Sequence, residues 1–232
     1  MTTTVARDPV ESFAAIGVTA FTTTRDAGDF GIPQTGVNEA AREKWEELLR
    51  ELAPAARLAS SRQVHGNRVI THGGDWSGWR RIESADGHVT TTKGTVLAVS
   101  VADCVPVFLA HGSGAVGVLH AGWRGVVAKI LDHGLDAMEA LGAPADEVHV
   151  HLGPCISGRS YEVGPDVYAQ LTGWETQRPR RVDLRAILAE QARTRGVQHL
   201  SASHWCTMEN NDRFFSHRAG NGERQLAVIV SS

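Results

Sequence analysis

The sequence predicts an α/β or α+β fold, in which a mixed β-sheet core is flanked by helices within a single layered domain. Strand-like and helix-like segments alternate along the 232 residues, without an internal repeat or a low-complexity linker. The segment 94–122 holds three valine-rich apolar runs, which are typical of strands covered on both faces. The length and the 42% content of hydrophobic residues suit one compact domain over residues 1–232.

The first predicted elements are a strand and an amphipathic helix. A short strand at Phe21 runs into a loop that is rich in Gly, Pro and Asp. A helix is predicted over residues 39–53, because Trp45 and several leucines recur on one face with charged residues opposite. Asn38 stands immediately before this helix, where its side chain can cap the first turn.

The next segment predicts two strands followed by a loop. Residues 57–72 indicate two strands that meet near His65–Asn67. Residues 75–87 are predicted to form a loop, and its Trp76 and Trp79 are expected to pack on the edge of the core.

The second half of the chain continues the alternation of strands and helices. After the three apolar runs, a helix is predicted from Arg124 to Leu141. A further helix is predicted between Asp183, which caps its start, and Gly196, which stops it. The remaining assignments are strands at 147–153, 197–205 and 224–232 and a loop at 153–164.

Composition limits the classes of function. A net charge of −3 leaves no basic surface that would indicate a nucleic-acid partner. No segment has the length of a signal peptide's apolar stretch or the roughly 18 apolar residues of a membrane span, so we expect a cytoplasmic protein without a membrane partner. The three cysteines are odd in number and far apart, which argues against a disulfide framework.

Three residues are the strongest candidates for chemistry: His65, Cys104 and His120. Each ends an apolar, strand-like run and is followed by a turn. If their strands are neighbours, the two imidazoles and the thiolate can form a zinc site with an open fourth position. The alternatives are a small buried thiol for Cys104 and a capped turn histidine for His120.

Asp103 adds to this pattern because it lies next to Cys104 among apolar residues. A buried, unpaired carboxylate would be costly, so Asp103 needs a partner. We expect that partner to be Arg124, a metal-bound histidine or the substrate, and an acid that orients a ligand histidine is a common arrangement.

Other polar residues favour structural interpretations. His149 and His151 share one face of a strand and could bind metal, but half-exposed strand histidines are commoner. Cys155 and Cys206 are expected to be small buried thiols. Three arginines could clamp an anion or be solvated, and residues 210–212 indicate a turn; the arginines are Arg25, Arg213 and Arg218.

Five segments closely resemble the YfiH-like family, which is also called the laccase-domain or multicopper polyphenol oxidase family. They carry the motifs QVHG, ADC, HAGWRG and GP-x-I–YEVG, and they lie at 61–69, 85–110, 119–130, 152–167 and 206–219. The resemblance implies a single α/β domain with layered helices and sheets. It also implies a zinc site made of His65, Cys104 and His120.

The resemblance further implies an enzyme of purine nucleosides. Family members carry out phosphorolysis of adenosine, inosine, guanosine and methylthioadenosine, and they deaminate adenosine. Some bacterial relatives are described as peptidoglycan editing factors. The chain departs from the family at residues 23–31 and at residues 221–225, two loops that we expect to border the pocket and to affect substrate preference.

The expected site therefore combines a metal, catalytic residues and substrate contacts. The catalytic candidates are His65, Asp103, Cys104 and His120, and the substrate-binding candidates are Arg25, Asn38, Gln63, Arg124 and Arg218. The turn at 120–125 is expected to hold phosphate beside the zinc, because Arg124 begins a helix and carries a forked, permanently charged donor. The expected ligands are a purine nucleoside and phosphate, and the protein is expected to be a monomer or a weak homo-oligomer.

Three alternatives remain open. A cysteine hydrolase would use Cys104 as nucleophile, His120 or His65 as base and Asp103 as the orienting acid, which suits an amidase that acts on a cell-wall precursor. A copper oxidase is less favoured, although copper could bind, because the chain has only one H-x-H pair and no methionine near the candidate ligands. A silent binding module would leave the clustered polar residues unexplained.

Overall fold

Two six-stranded β-sheets form the centre of the protein, which is described here by a computed structural model over residues 5–32, 36–52 and 57–231. The strands of the first sheet are β1 (Arg7–Pro9), β2 (Thr19–Thr23), β3 (Arg57–Ser61), β5 (Gly78–Ile82), β7 (Thr95–Val101) and β14 (Gln225–Val230). Those of the second are β4 (Val69–His72), β6 (Gly87–Thr90), β8 (Val105–Ala110), β9 (Val116–Ala121), β10 (His149–Leu152) and β13 (His199–Ala202).

Both sheets are mixed, as the sequence predicts, with spatial orders β1-β2-β14-β7-β3-β5 and β13-β10-β8-β9-β6-β4. A third, two-stranded sheet pairs β11 (Glu162–Val163) with β12 (Arg180–Arg181). The helices are α1 (Glu11–Ala14), α2 (Glu39–Glu51), α3 (Trp123–Val127), α4 (Ile130–Glu139), α5 (Pro165–Thr172) and α6 (Leu184–Thr194). None of the helices in the described ranges is long and apolar enough to cross a membrane.

The apolar core lies in three layers. One cluster fills the space between the two sheets and includes Leu97 and Val118. A second packs α4 and α6 on the outer face of the second sheet, and a third packs Trp45 and Leu48 of α2 on the outer face of the first. Each sheet is therefore covered on both faces, which explains why every residue of β8 and β9 is buried.

Several local predictions are confirmed. The Asn38 side chain accepts a hydrogen bond from the Ala41 N–H at 2.8 Å and caps α2. The Asp183 side chain caps α6 in the same way through the Ala186 N–H, at 3.1 Å. After α6 ends, Gly196 adopts a left-handed conformation with φ of 84°. These signals act within one turn of helix, so they do not depend on the rest of the fold.

The helix predicted from Arg124 to Leu141 is wrong as a single element, because it is divided into α3 and α4. Lys129 stands between them in a left-handed conformation with φ of 62°. The carbonyl oxygens at the break accept from distant side chains: Asn67 Nδ2 donates to Ala128 O at 2.9 Å, and Gln191 Nε2 donates to Val126 O at 3.2 Å. Tertiary contacts thus take over bonds that a continuous helix would make.

The loop predicted at 75–87 contains a strand. β5 pairs in parallel with β3, and its Trp79 stacks on Trp45 of α2 with ring centroids 4.9 Å apart and planes 6° apart. The expected packing of both tryptophans on the core edge is confirmed, since Trp76 packs against the cluster between the sheets. The short helix α5 was not predicted, although Gly164 and Pro165 begin it.

The two strands predicted in 57–72 exist, but they do not pair with each other. β3 belongs to the first sheet and β4 to the second, so the segment 62–68 crosses from one sheet to the other. This crossing carries His65 across the end of the β-sandwich.

A buried chain of hydrogen bonds links β4, β6 and β3. His72 Nε2 lies 2.9 Å from His88 Nδ1, His88 Nε2 lies 3.2 Å from Ser61 Oγ, and Ser61 Oγ donates to Ala85 O at 2.6 Å. Because the serine proton is used by Ala85, each histidine donates through Nε2, and His88, which accepts at Nδ1, is neutral. Burial lowers the pKa of His72 to about 4 and that of His88 to about 3, and the charge of Arg80 adds to the effect at His72.

We expect the free energy of unfolding to fall as the pH drops from about 6.5 toward 4, since the unfolded chain protonates these histidines near their ordinary pKa of 6.5 and the folded chain does not. His72→Gln removes one of these histidines, so the free energy of unfolding should fall less steeply with pH. Urea unfolding between pH 7.5 and 5 measures this dependence. The control is His204→Gln at an exposed position, which keeps the wild-type slope. Identical slopes for wild type and His72→Gln would contradict the prediction.

Candidate active site and metal centre

The three candidate ligands meet where the second sheet faces the crossing segment. Cys104 immediately precedes β8, and His120 lies near the end of β9, which is the antiparallel neighbour of β8. His65 lies in the crossing segment between β3 and β4. One nitrogen of each histidine and the Cys104 sulfur all lie within 4.8 Å of one another.

This donor set suits a soft or borderline metal ion. Two imidazoles and one thiolate are typical ligands of zinc and also of copper, and three protein ligands leave a coordination position open. His120 is buried, Cys104 is partly buried and His65 is exposed, so the set faces outward into a cavity. The residues therefore fit a metal that is open to substrate.

Gly122 makes room for the donor set. A Cβ at this position would lie 2.9 Å from His65 Cδ2 and 3.0 Å from Cys104 Sγ, closer than van der Waals contact allows. Its φ of −74° is ordinary, so the glycine is needed for space and not for a special backbone turn. Gly125 has the same role toward the crossing segment, because a Cβ there would lie 3.0 Å from Gly66 O.

Asp86 is the residue of the site that the sequence analysis missed. Its carboxylate is fully buried and accepts from His120 Nδ1 at 2.8 Å. The same carboxylate accepts the backbone N–H groups of His65 at 2.9 Å, Gly66 at 2.8 Å and Val64 at 3.2 Å. One side chain thus orients the ring of one ligand and the backbone of another, and it leaves His120 Nε2 free for a metal.

Asp103 does not have the role that was expected of it. Its Oδ1 accepts from Thr207 Oγ1 at 2.6 Å, and its Oδ2 accepts from the Arg218 backbone N–H at 2.7 Å. Of the three expected partners, Arg124 and a metal-bound histidine are wrong, because the side chain turns toward the segment 207–218. The third, the substrate, stays a prediction. Asp86, and not Asp103, is the acid that hydrogen-bonds a candidate ligand histidine, His120.

Two site residues have strained backbones. His65 has φ of 59° and Asp103 has φ of 80°, a region that residues other than glycine rarely adopt. The His65 N–H donates to Asp86, which stabilises the conformation of His65. Asp103 accepts hydrogen bonds from Thr207 and Arg218, which stabilise the conformation of Asp103. The surrounding structure thus fixes conformations that the residues would avoid on their own, a feature typical of functional sites.

The charges of the site favour a thiolate. Burial alone would raise the pKa of Cys104, but the charge of His120 and hydrogen bonds from His120 and His65 outweigh it and lower that pKa to about 6. Burial likewise opposes protonation of His120, yet Cys104 and Asp86 raise its pKa to about 9. Hydrogen bonds from His120 and the backbone also keep the pKa of Asp86 low against the effect of burial. Without a metal, Cys104 and His120 form a thiolate–imidazolium pair.

A cavity of about 780 Å³ opens above the donor set. Its aromatic walls are Trp45, Trp123 and Tyr161. Its charged and polar lining includes Arg62, Gln63, Arg81, Asp103, Arg124, His217, Arg218 and Arg224. Such a volume is typical of sites for small organic ligands.

Three of the five substrate-binding candidates line this cavity, namely Gln63, Arg124 and Arg218. Gln63 is already engaged, because its Nε2 donates to Ser100 O at 2.7 Å and its Oε1 accepts from Ser100 N at 2.8 Å. Arg25 and Asn38 do not line it. Arg25 donates to Asn211 O and Asn221 Oδ1, and Asn38 is the cap of α2.

Two of the arginines that line the cavity, Arg124 and Arg218, rest on aromatic rings. The Arg124 guanidinium lies 4.3 Å from the Trp123 ring centroid, and that of Arg218 lies 5.1 Å from the Tyr161 ring centroid. Within the described part of the chain, neither forms an ion pair. Arg218 Nη1 and Nη2 both donate to the Glu162 carbonyl oxygen at 3.0 Å, which leaves the positive charge of Arg218 uncompensated. Both positive charges can therefore attract an anionic ligand.

The other polar residues have the structural roles that were predicted. His149 stacks on His199 with centroids 4.3 Å apart, and His151 hydrogen-bonds Ser201 Oγ at 2.8 Å. Cys155 and Cys206 are buried free thiols, and residues 210–212 form a turn. Arg213 pairs with Asp8 at 3.0 Å, away from the cavity.

The fold and the donor set define a class of helix-covered double-sheet proteins with a His-Cys-His site. The sequence matches the family described as "Multi-copper polyphenol oxidoreductase laccase" over residues 22–232. The chain belongs to this family, which is the YfiH-like family.

Relatives in this family support an enzymatic function. A Deinococcus radiodurans protein named "Purine nucleoside phosphorylase" is 36% identical over 229 residues, which cover 89% of this chain and 87% of that protein. A relative from Mycobacterium tuberculosis, also named as a purine nucleoside phosphorylase, is 34% identical over 233 residues, or 93% of this chain and 92% of that protein.

Solved structures agree with the fold. YfiH from Bacillus licheniformis superposes with a TM-score of 0.88 at 20% identity and covers 100% of this chain and 98% of its own. YlmD from Geobacillus stearothermophilus has a TM-score of 0.84 at 26% identity, over 93% of this chain and 92% of its own. The predicted α/β class with mixed sheets is confirmed.

Gly122→Ala should displace the donor set and reduce metal binding, because its Cβ would meet His65 and Cys104 at about 3 Å. Metal content after dialysis against zinc, measured by mass spectrometry, checks this. Gly112→Ala is the matched control, since a Cβ at Gly112 meets no atom within 4 Å. Equal metal content in both variants would show that the site tolerates the methyl group.

Asp86→Asn should weaken metal binding by roughly 10- to 100-fold, the usual effect of losing the partner of a ligand histidine. The amide cannot accept all four hydrogen bonds that the carboxylate accepts. Competition with a chromophoric chelator measures the affinity, and Asp75→Asn at an exposed position is the control. If Asp86→Asn binds the metal with wild-type affinity, Asp86 does not support metal binding.

Proposed function

We propose that the protein is a zinc-dependent purine nucleoside phosphorylase that acts on adenosine, inosine, guanosine and methylthioadenosine and also deaminates adenosine. One observation carries the proposal: a metal-type donor set lines the same cavity as Arg124 and Arg218, neither of which forms an ion pair among the described residues. The names of the relatives point to the same reaction. The cytoplasm is the proposed location, in keeping with free cysteines.

Zinc is the proposed metal, with copper as the less favoured choice. His65, Cys104 and His120 would hold it, and when bound it supplies Lewis acidity to the reacting groups. No methionine is among the residues that line the cavity in the described ranges, so the axial ligand typical of blue copper is missing. The cavity also lacks the many histidines that a trinuclear copper cluster requires.

Arg124 and Arg218 are proposed to hold the phosphate co-substrate. The guanidinium fork of Arg124 matches phosphate oxygens, and Arg218, whose Nη1 and Nη2 donate to Glu162 O, adds its positive charge. The aromatic rings beneath the two guanidinium groups limit the motion of both side chains. Phosphate held there would attack C1′ of the ribose, and the electron pair of the broken glycosidic bond would move to the purine. The positive field of the cavity favours both the incoming anion and the departing base.

Trp123 and Tyr161 are proposed to contact the purine. Both line the cavity next to an arginine, so the base can lie on an aromatic face while phosphate lies on the adjacent charge. Asp103 serves as a positioning residue, since its two bonds join the Cys104 turn to the segment that carries Arg218.

A cysteine hydrolase is the second candidate, and the thiolate–imidazolium pair favours it. With its pKa lowered to about 6, Cys104 would be a nucleophile at neutral pH in the metal-free protein. Its sulfur would attack an amide carbonyl, and His120 would donate a proton to the leaving amine. A metal on the same thiolate would suppress this reaction, so metal content separates the two candidates.

The function is tested by the phosphate dependence of inosine cleavage. We expect hypoxanthine to form only with phosphate or arsenate, and Arg124→Ala to raise the KM for phosphate by about 10-fold or more with a smaller change for inosine, because a charge-assisted contact is lost. Arg193→Ala, an exposed arginine of α6, is the matched control.

Two outcomes would contradict this proposal. Equal cleavage with and without phosphate would indicate a nucleoside hydrolase. Amide hydrolysis that persists after chelation and disappears in Cys104→Ser, without nucleoside cleavage, would establish the cysteine hydrolase instead.

A further inference from the structure

The cavity extends well beyond the donor set. The His-Cys-His end lies on the second sheet, whereas its far end is formed by β5 and α2 on the first sheet. The far lining consists of Ile32, Trp45, Arg62, Arg81 and Arg224. The site therefore spans both sheets and has two ends with different residues.

Both ends are positively charged. Five of the described residues that line the cavity are arginines, and one of them, Arg62, is paired with Glu83. The one carboxylate among the described lining residues, Asp103, is already bonded to Thr207 and to the Arg218 backbone. One phosphate held by Arg124 and Arg218 would leave the charges of the far end without a ligand. A concentration of like charges in a partly enclosed cavity is unfavourable unless an anion binds there.

Arg81 is the residue of the far end that most needs a partner. Its Nε is buried and, within the described part of the chain, has no hydrogen-bond acceptor. A buried donor left unpaired destabilises the folded state, so such groups are uncommon in native proteins. Arg81 also lines the cavity, where an anionic ligand could pair with its guanidinium group.

The residues around Arg81 at this end of the cavity are themselves fixed. It shares a face of β5 with Trp79, two residues before it, and Trp79 stacks on Trp45 at 4.9 Å. Arg62 extends from the end of the neighbouring strand β3 and is fixed by Glu83 at 2.6 Å and by Ser84. Arg224 Nη1 donates hydrogen bonds to the carbonyl oxygens of Glu223 and Gly222, at 2.7 and 2.8 Å.

We infer that Arg81, supported by Arg62 and Arg224, forms a second anion subsite that binds a phosphate ester on the substrate itself. The substrate class is then a phosphorylated purine nucleoside, such as a nucleoside 5′-monophosphate, and not the bare nucleoside alone. This inference rests on the proposed function for the nucleoside part of the ligand. The subsite differs from that of the co-substrate, which lies at the Arg124 end.

The inference is tested by comparing inosine 5′-monophosphate with inosine in calorimetric titrations of the metal-loaded protein in phosphate-free buffer. We expect the monophosphate to bind about 10-fold more tightly or better, since its phosphate adds charge-assisted hydrogen bonds to the guanidinium group of Arg81. Arg81→Gln should reduce that ratio to about 1.

Arg80→Gln is the matched control. Arg80 is the adjacent residue on the opposite face of β5, lies over the Trp76 ring at 4.9 Å, and does not line the cavity. It removes the same charge from the same strand, so it should keep the wild-type ratio. Urea unfolding of both variants confirms that each is folded.

Inorganic phosphate is the other source of the same anion, and a kinetic arm separates the two. If Arg81→Gln raises the KM for inorganic phosphate and leaves the affinity ratio unchanged, the far end holds the co-substrate and the inference is wrong. An affinity ratio near 1 in the wild type would also overturn it. If the affinity ratio depends on Arg81 but the protein cleaves no nucleoside, the anion subsite is supported and the proposed phosphorylase activity is wrong.

Discussion

The buried carboxylate of Asp86 is the interaction on which the site depends. It accepts hydrogen bonds from the His120 ring and from three consecutive backbone N–H groups of the crossing segment, so it joins β9 to the turn that carries His65. A charge in this position would be very unfavourable without partners, and the four bonds compensate its desolvation. The buried charge makes the arrangement specific. Few other positions of the turn would give the Asp86 carboxylate its hydrogen bonds, so those positions are unfavourable.

The double-sheet architecture explains why the donors and the ligand cavity coincide. Strands β8 and β9 bring Cys104 and His120 together as antiparallel neighbours, and the passage of the chain from β3 to β4 adds His65 from the first sheet. Because both sheets contribute, the cavity opens where they meet and receives residues from α2, β5 and α3. Close approach at Gly122 and strained backbones at His65 and Asp103 are consequences of this crowding.

Charge is distributed unevenly between the donor set and the cavity. The carboxylate lies behind the ligands, whereas arginines lie in front of them, two of them on aromatic rings. An anionic ligand in the cavity would pair with the arginines beside the candidate metal ligands. The charge of Asp86, which supports the donor set, thus lies apart from the charges of the arginines that line the cavity.

The sequence by itself determined the α/β class, the helix caps at Asn38 and Asp183, and the three candidate ligands, because these depend on local periodicity, single turns and strand ends. Only the tertiary structure decided the break at Lys129, the strand β5 within a polar segment, and the identity of Asp86 as the orienting acid. Each of these depends on partners far along the chain: Asn67 and Gln191 at the helix break, β3 beside β5, and His120 opposite Asp86. Asp103 and Asp86 are both acids next to apolar strands in the sequence, and only the pairing of β6 with β9 places Asp86, and not Asp103, behind the histidine.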